Sequence, residues 1–167
     1  MFLGVSFLLT YIYSLPFYIL IVLIFLFILS YYDILYREIP KNLVHILIGI
    51  SVLIFIFFNL NLTSFLFTSF IILFIFLLTL IMKKSFGLGD ILVLFSLGLI
   101  SNYKEYLILF WLSIFLALLY SLCSAVIKKR SLKGLKIPMI PFITFAFLLS
   151  SLWGVVIFDF ILNKIYF

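Results

Sequence analysis

Charge is what this chain of 167 residues has least of: charged residues make up 10% of it, and the acids number five. A soluble chain of this length covers its core with polar surface, and there is too little polar surface here to do so. Cysteine and histidine are each present once. One cysteine, Cys123, excludes a disulfide framework and a Cys-x-x-Cys metal pair, and leaves that residue as a small packing side chain. One histidine, His45, excludes a histidine-rich zinc site, and the pair of singletons excludes a Cys/His dyad built from neighbours. His45 itself reads as an amphipathic filler near an interface. No metal and no cofactor is expected.

What fills the chain instead is apolar: 68% hydrophobic residues and a mean hydropathy of +1.51. A bilayer's hydrocarbon is about 30 Å thick and a spanning helix needs about 20 mostly apolar residues. The charge-free runs are Met1 to Tyr32, Asn42 to Met82, Ile91 to Tyr103, Tyr106 to Ile127 and Ile137 to Phe158. The second is too long for one helix and carries Asn59, Asn61, Thr63 and Ser64 near its middle, which marks a turn between two spans. The fold class is therefore all-α, a polytopic bundle of six transmembrane helices. The chain, 1–167, reads as a single membrane-embedded domain with spans at 15–32, 43–60, 63–82, 86–103, 106–127 and 138–162. Pro16 stands near the first helix start, where proline is tolerated, and residues 1–14 form a lead-in. With no basic n-region and no small-residue cleavage pattern, that lead-in does not read as a signal peptide.

The net charge of +6 finds its explanation in the loops rather than in nucleic acid, for which no binding is expected. The first, third and fifth loops carry Arg37, Lys41, Lys83, Lys84, Lys128, Lys129, Arg130, Lys133 and Lys136, and the opposite side only Lys104 and Lys164. Nine against two puts those loops in the cytoplasm and both termini outside, making this a multi-pass protein of the cytoplasmic membrane. The loop from Lys128 to Lys136 would lie at anionic lipid headgroups. Trp111, Trp153, Tyr103 and Tyr106 read as the outer aromatic belt, and Tyr31, Tyr32 and Tyr36 as the inner one.

Among the acids, Glu38 and Glu105 read as solvated loop charges and Asp159 as an interfacial residue. Asp33 and Asp90 differ. The first helix runs inward and ends at Asp33; the fourth starts in the cytoplasm and meets Asp90 soon after Lys84. Both carboxyls thus lie at similar depth on the cytoplasmic side. An acid within a span costs about 2.5 to 3.5 kcal/mol on insertion scales and usually faces a bundle interior or a wet cavity. If the two approach, like-charge repulsion and partial desolvation keep one protonated, leaving one general base and one general acid. The base takes a proton from water, the acid polarises a scissile carbonyl, and the pair later protonates the leaving amine. Ahead of Asp90 stand Gly87 and Gly89, which let another backbone come close; small residues also serve helix packing in membranes.

Two segments, Asp33-Ile34-Leu35-Tyr36-Arg37-Glu38-Ile39-Pro40-Lys41-Asn42 and Gly87-Leu88-Gly89-Asp90, resemble the type IV prepilin peptidase family, which includes the archaeal preflagellin peptidases. A third stretch, Lys136-Ile137-Pro138-Met139-Ile140-Pro141-Phe142, resembles the proline-bearing opening of that family's last helix, with Ile140 where a glycine often stands. The resemblance runs from Asp33 onward. It implies Asp33 and Asp90 as the catalytic pair, with Ile39, Pro40, Gly87, Gly89, Pro138 and Pro141 as supporting motif residues. It also implies a membrane aspartic endopeptidase that removes the short basic leader from prepilin-like or preflagellin precursors at the cytoplasmic face. With one cysteine and no soluble insertion, the chain is similar to the short, peptidase-only members. Glu38 and anionic headgroups are the expected partners of a basic leader.

Two other readings stand beside this one. A presenilin-like intramembrane protease shares a Tyr-Asp and a Gly-x-Gly-Asp, which Tyr32-Asp33 and Gly87 to Asp90 supply, but it also wants a late Pro-Ala-Leu stretch that is missing. A small proton-coupled transporter or membrane subunit could use the same acids as relay groups, nearer mid-membrane and with similarity between two halves of the chain. No internal repeat is visible.

Overall fold

Lipid offers the backbone no hydrogen-bond partner, so apolar runs of this length satisfy themselves as helices. The computed structural model describes residues 16–58, 62–81, 87–128 and 137–165, and all regular structure in them is helical. The helices are α1 (Phe17–Tyr36), α2 (Lys41–Phe57), α3 (Leu62–Ile81), α4 (Leu88–Ile100), α5 (Tyr103–Lys128) and α6 (Ile140–Ile165). Among the described residues, six helices form the expected bundle. Among the described residues, four helices hold stretches long and apolar enough to cross a membrane: Phe17–Tyr36, Leu62–Ile81, Tyr103–Ile127 and Ile140–Leu162.

The other two, α2 and α4, are shorter apolar helices. At 1.5 Å per residue, the 13 residues of α4 extend about 20 Å, well short of the hydrocarbon thickness. Helix α4 can be short because protein surrounds it: α2, α3, α5 and α6 all pack on it, and Ser96 through Ile100 are buried without a break. It runs 88–100 rather than 86–103 because Ser101 takes extended backbone and Asn102 already caps the next helix. Helix α1 departs in the opposite direction. It continues one turn past residue 32, through Asp33 to Tyr36, and stops where Arg37 adopts a left-handed conformation (φ 56°) and its N–H bonds the Asp33 carbonyl. The carboxyl of Asp33 does not end the helix, because it faces α6 rather than lipid.

The bundle's polarity is inverted relative to a soluble protein. Ser30, Ser51, Ser64, Thr68, Ser96, Ser113, Thr144 and Ser150 are buried, while Phe17 is 77%, Phe57 76% and Ile81 76% exposed. Only an apolar solvent makes that arrangement favourable. The interior is filled by Val22, Leu26 and Leu29 of α1, Val44 and Leu47 of α2, Leu94 and Leu97 of α4, and Ile140 and Ile143 of α6. Helices also meet through glycines. Thr68 of α3 donates to the Gly98 carbonyl at 3.2 Å, and Gly154 of α6 lies against the Glu105 backbone of α5.

Several single-residue expectations change. Glu105 is not a loop charge: it sits in the first turn of α5, half-buried, and accepts the Asn102 N–H at 3.3 Å, as a capping residue does. Tyr106 is fully buried instead of belonging to the outer belt. Cys123 is exposed rather than packed, on the outward side of α5 with Leu119, Leu122 and Val126. Asp159 forms an ion pair with Lys104 at 2.7 Å. His45 stays local, its Nδ1 2.6 Å from the Lys41 carbonyl. The turn at 59–61, the lead-in at 1–14 and the basic residues Lys83, Lys84, Lys129, Arg130, Lys133 and Lys136 lie outside the described residues.

Candidate active site

The last turn of α1 and the first turns of α2, α4 and α6 meet at one end of the bundle. Asp33 lies on the face of α1 that also carries Leu26 and Ser30, seven and three residues back, the spacing that aligns side chains on a helix. It is only 6% exposed. Its Oδ2 accepts the Ile140 N–H at 2.9 Å, from the opening of α6. The Met139 amide lies nearby, and the Arg37 charge acts on the carboxyl as well.

The local sequence explains why an amide is available there. The first N–H groups of a helix have no partner within it. Pro141, in the first turn of α6, carries no N–H, and Met139 turns its carbonyl to the amides of Phe142 and Ile143. Pro138 is buried and delivers the chain to that position. The Ile140 amide is left pointing out of the helix end, and Asp33 accepts it. This is the favourable end of the helix dipole for a carboxylate.

Asp90 stands in the first turn of α4, three residues after the N-cap Gly87. Its carboxyl lies back against the helix opening, beside Gly87. The two aspartates lie close enough for the charge of Asp33 to act on Asp90. Helices α1 and α4 thus bring together two carboxyls that are far apart in the chain.

The motif residues touch one another. A Cβ on Gly89 would fall 2.8 Å from Cδ1 of Ile39, so the glycine gives the Ile39 side chain its seat. A Cβ on Gly87 would fall 3.0 Å from Oδ2 of Asp90. Pro40 caps α2, receiving the amides of Leu43 and Val44 on its carbonyl, and so starts that helix immediately after the turn at Arg37. Glu38 is exposed at the same end.

Two residues near the pair were not singled out in the sequence. The hydroxyls of Ser30 and Thr144 lie 2.7 Å apart, and Thr144 also reaches the carbonyls of Ile140 at 2.8 Å and Leu26 at 3.4 Å. The available signal was a lone hydroxyl within an apolar run, three residues before the acid in α1 and three after Pro141 in α6. Chemically, the site offers two carboxyls near enough for one charge to act on the other, with Asp33 held by the Ile140 amide. Among the described residues no three histidines, cysteines or acids cluster as a metal site would require.

Compared with known families, residues 20–122 match the type IV leader peptidase family, a stretch that includes both aspartates and the Ile39-Pro40 and Gly87/Gly89 motifs but ends before α6. No curated protein and no solved structure matches the chain.

Proposed function

The chain belongs to the type IV leader peptidase family, and from that premise we propose that it is an aspartic endopeptidase in which Asp33 and Asp90 form the catalytic pair. Its substrates are type IV prepilin-like or preflagellin precursors, whose short basic leader it removes at the cytoplasmic face of the cell membrane. The observation that carries the reading is the meeting of the two carboxyls at one end of the bundle, each at the opening of a helix. The family membership makes the chain a membrane peptidase; the identity of the nucleophile's activator is the further step.

In the reaction one carboxylate removes a proton from a water held between the pair, and the hydroxide adds to the scissile carbonyl. The other carboxyl, protonated, gives its proton to the carbonyl oxygen. The tetrahedral intermediate then collapses, the C–N bond breaks, and the leaving nitrogen takes a proton from the pair. The Ile140 amide keeps Asp33 in place throughout. Gly87 leaves room for the Asp90 carboxyl and Gly89 for the Ile39 side chain, so both glycines shape the surroundings of the pair. A basic leader finds Glu38 and anionic headgroups, and the positive loops face the cytoplasm.

A relay role in a transporter calls for acids nearer the membrane centre, whereas both aspartates lie in terminal turns of their helices. The test is co-expression with a tagged prepilin or preflagellin, comparing wild type with Asp33→Asn and Asp90→Asn by the precursor's size shift on a gel. Each substitution preserves shape and removes titration, so each should abolish cleavage while membrane insertion stays equal. Cleavage by both variants would overturn the pair assignment.

A further inference from the structure

Asp33 does not hold its own position. The carboxyl projects from α1, its amide partner belongs to α6, and the 2.9 Å bond between them exists only in one register of the two helices. A slide of α6 by a single residue moves the Ile140 N–H by about 1.5 Å, which lengthens and misaligns that bond. Around this contact the α1 and α6 faces are mostly apolar: Val22, Leu26 and Leu29 on one, Ile140, Ile143 and Ala146 on the other. In a bilayer such faces gain little by meeting each other rather than lipid, so apolar packing specifies register weakly and hydrogen bonds specify it better.

We propose that Ser30 and Thr144 form a hydroxyl clasp that fixes α6 against α1 and so positions Asp33 on the Ile140 amide. The proposal rests on the peptidase reading above and makes the two hydroxyls positioning residues of that site. The two helices run antiparallel here, and their contacts form consecutive rungs: Asp33 with Ile140, then Ser30 with Thr144 one turn deeper. Both hydroxyl residues are buried, Thr144 at 3% and Ser30 at 7% exposed. The proton count closes. Thr144 has one hydroxyl proton and two carbonyls within reach, Ile140 at 2.8 Å and Leu26 at 3.4 Å, one from each helix. It donates to a carbonyl, and Ser30 donates to it across the 2.7 Å gap. The residue whose carbonyl takes the short bond, Ile140, is the one whose amide holds Asp33.

Thr144→Val keeps the branched shape and deletes the hydroxyl, Thr144→Ser restores it, and Ser30→Ala is the second, smaller deletion. The first readout needs no substrate: the Ile140 amide resonance of isoleucine-labelled protein in lipid nanodiscs, assigned with Ile140→Val. An amide bonded to a carboxylate resonates at low field, so Asp33→Asn, Thr144→Val and Ser30→Ala should each move it upfield, and Thr144→Ser should return it. The second readout is precursor cleavage. If the carboxyl is displaced by half an ångström, kcat should fall about tenfold, with KM within twofold of wild type and recovery in Thr144→Ser. An Ile140 resonance and a kcat that both stay at wild-type values in Thr144→Val and Ser30→Ala would overturn the clasp. If wild type cleaves no precursor, the peptidase reading falls, and the amide resonance alone decides the clasp.

Discussion

Replacing Gly87 by alanine tests the geometry around Asp90 with a single methyl group. Gly87 has φ of −71°, which alanine adopts without strain, so the backbone contributes nothing to the effect. The new Cβ would stand 3.0 Å from Oδ2 and 3.6 Å from Cγ of Asp90. Ordinary contact begins at 3.4 Å, so the carboxyl has to withdraw by about 0.4 Å. A misplacement of 1 Å at a reacting group costs about 100-fold, and scaling its logarithm to this displacement gives about a sixfold loss of kcat. The assay is turnover of a purified prepilin-like precursor in proteoliposomes, with kcat and KM separated. KM should change little, because the methyl group displaces the carboxyl proposed to react rather than the leader's contacts. Gly49→Ala is the control: no atom lies within 4 Å of its added Cβ, and kcat should not move. A Gly87→Ala enzyme turning over within twofold of wild type would refute the claim that this glycine gives Asp90 its room.

At the far end of the bundle, Gly154→Ala places a methyl group 3.0 Å from the Glu105 Cα, a backbone atom that cannot swing aside. Helices α5 and α6 must part, and thermal unfolding in detergent should show a loss of about 1–3 kcal/mol, the usual range for overpacking. Sidedness is testable through the single cysteine. In a Cys123→Ser background, Glu38→Cys should react with a membrane-impermeant maleimide from the cytoplasmic side only, and Asn102→Cys from the outer side only; the reverse pattern would overturn the orientation drawn from the loop charges.

The sequence alone determined the solvent of this protein, because spans of apolar residues with so few charges have no folded form with water on all sides. It determined the six helices among the described residues through the same logic, and it marked Asp33 and Asp90 because an acid beside an apolar run is costly enough to need a reason. Charge spacing further separated those two acids from Glu38 and Asp159. It misjudged Glu105, Tyr106 and Cys123, since hydropathy along a chain reports depth in the membrane and says nothing of which helix face turns inward. Inside a bundle whose outer surface is as apolar as its core, periodicity loses most of its contrast.

Only the tertiary structure decided what surrounds the two acids. The Ile140 amide reaches Asp33 across a gap of more than a hundred residues in the chain, and Ile39 fills the space that Gly89 leaves open. Neither contact follows from spacing, because each depends on the register and rotation of separate helices. Those are set by buried hydroxyls such as Ser30 and Thr144 and by close approaches at Gly98 and Gly154. In lipid, where apolar surfaces hardly distinguish one neighbour from another, such small polar and steric features carry the specificity that a hydrophobic core supplies in water.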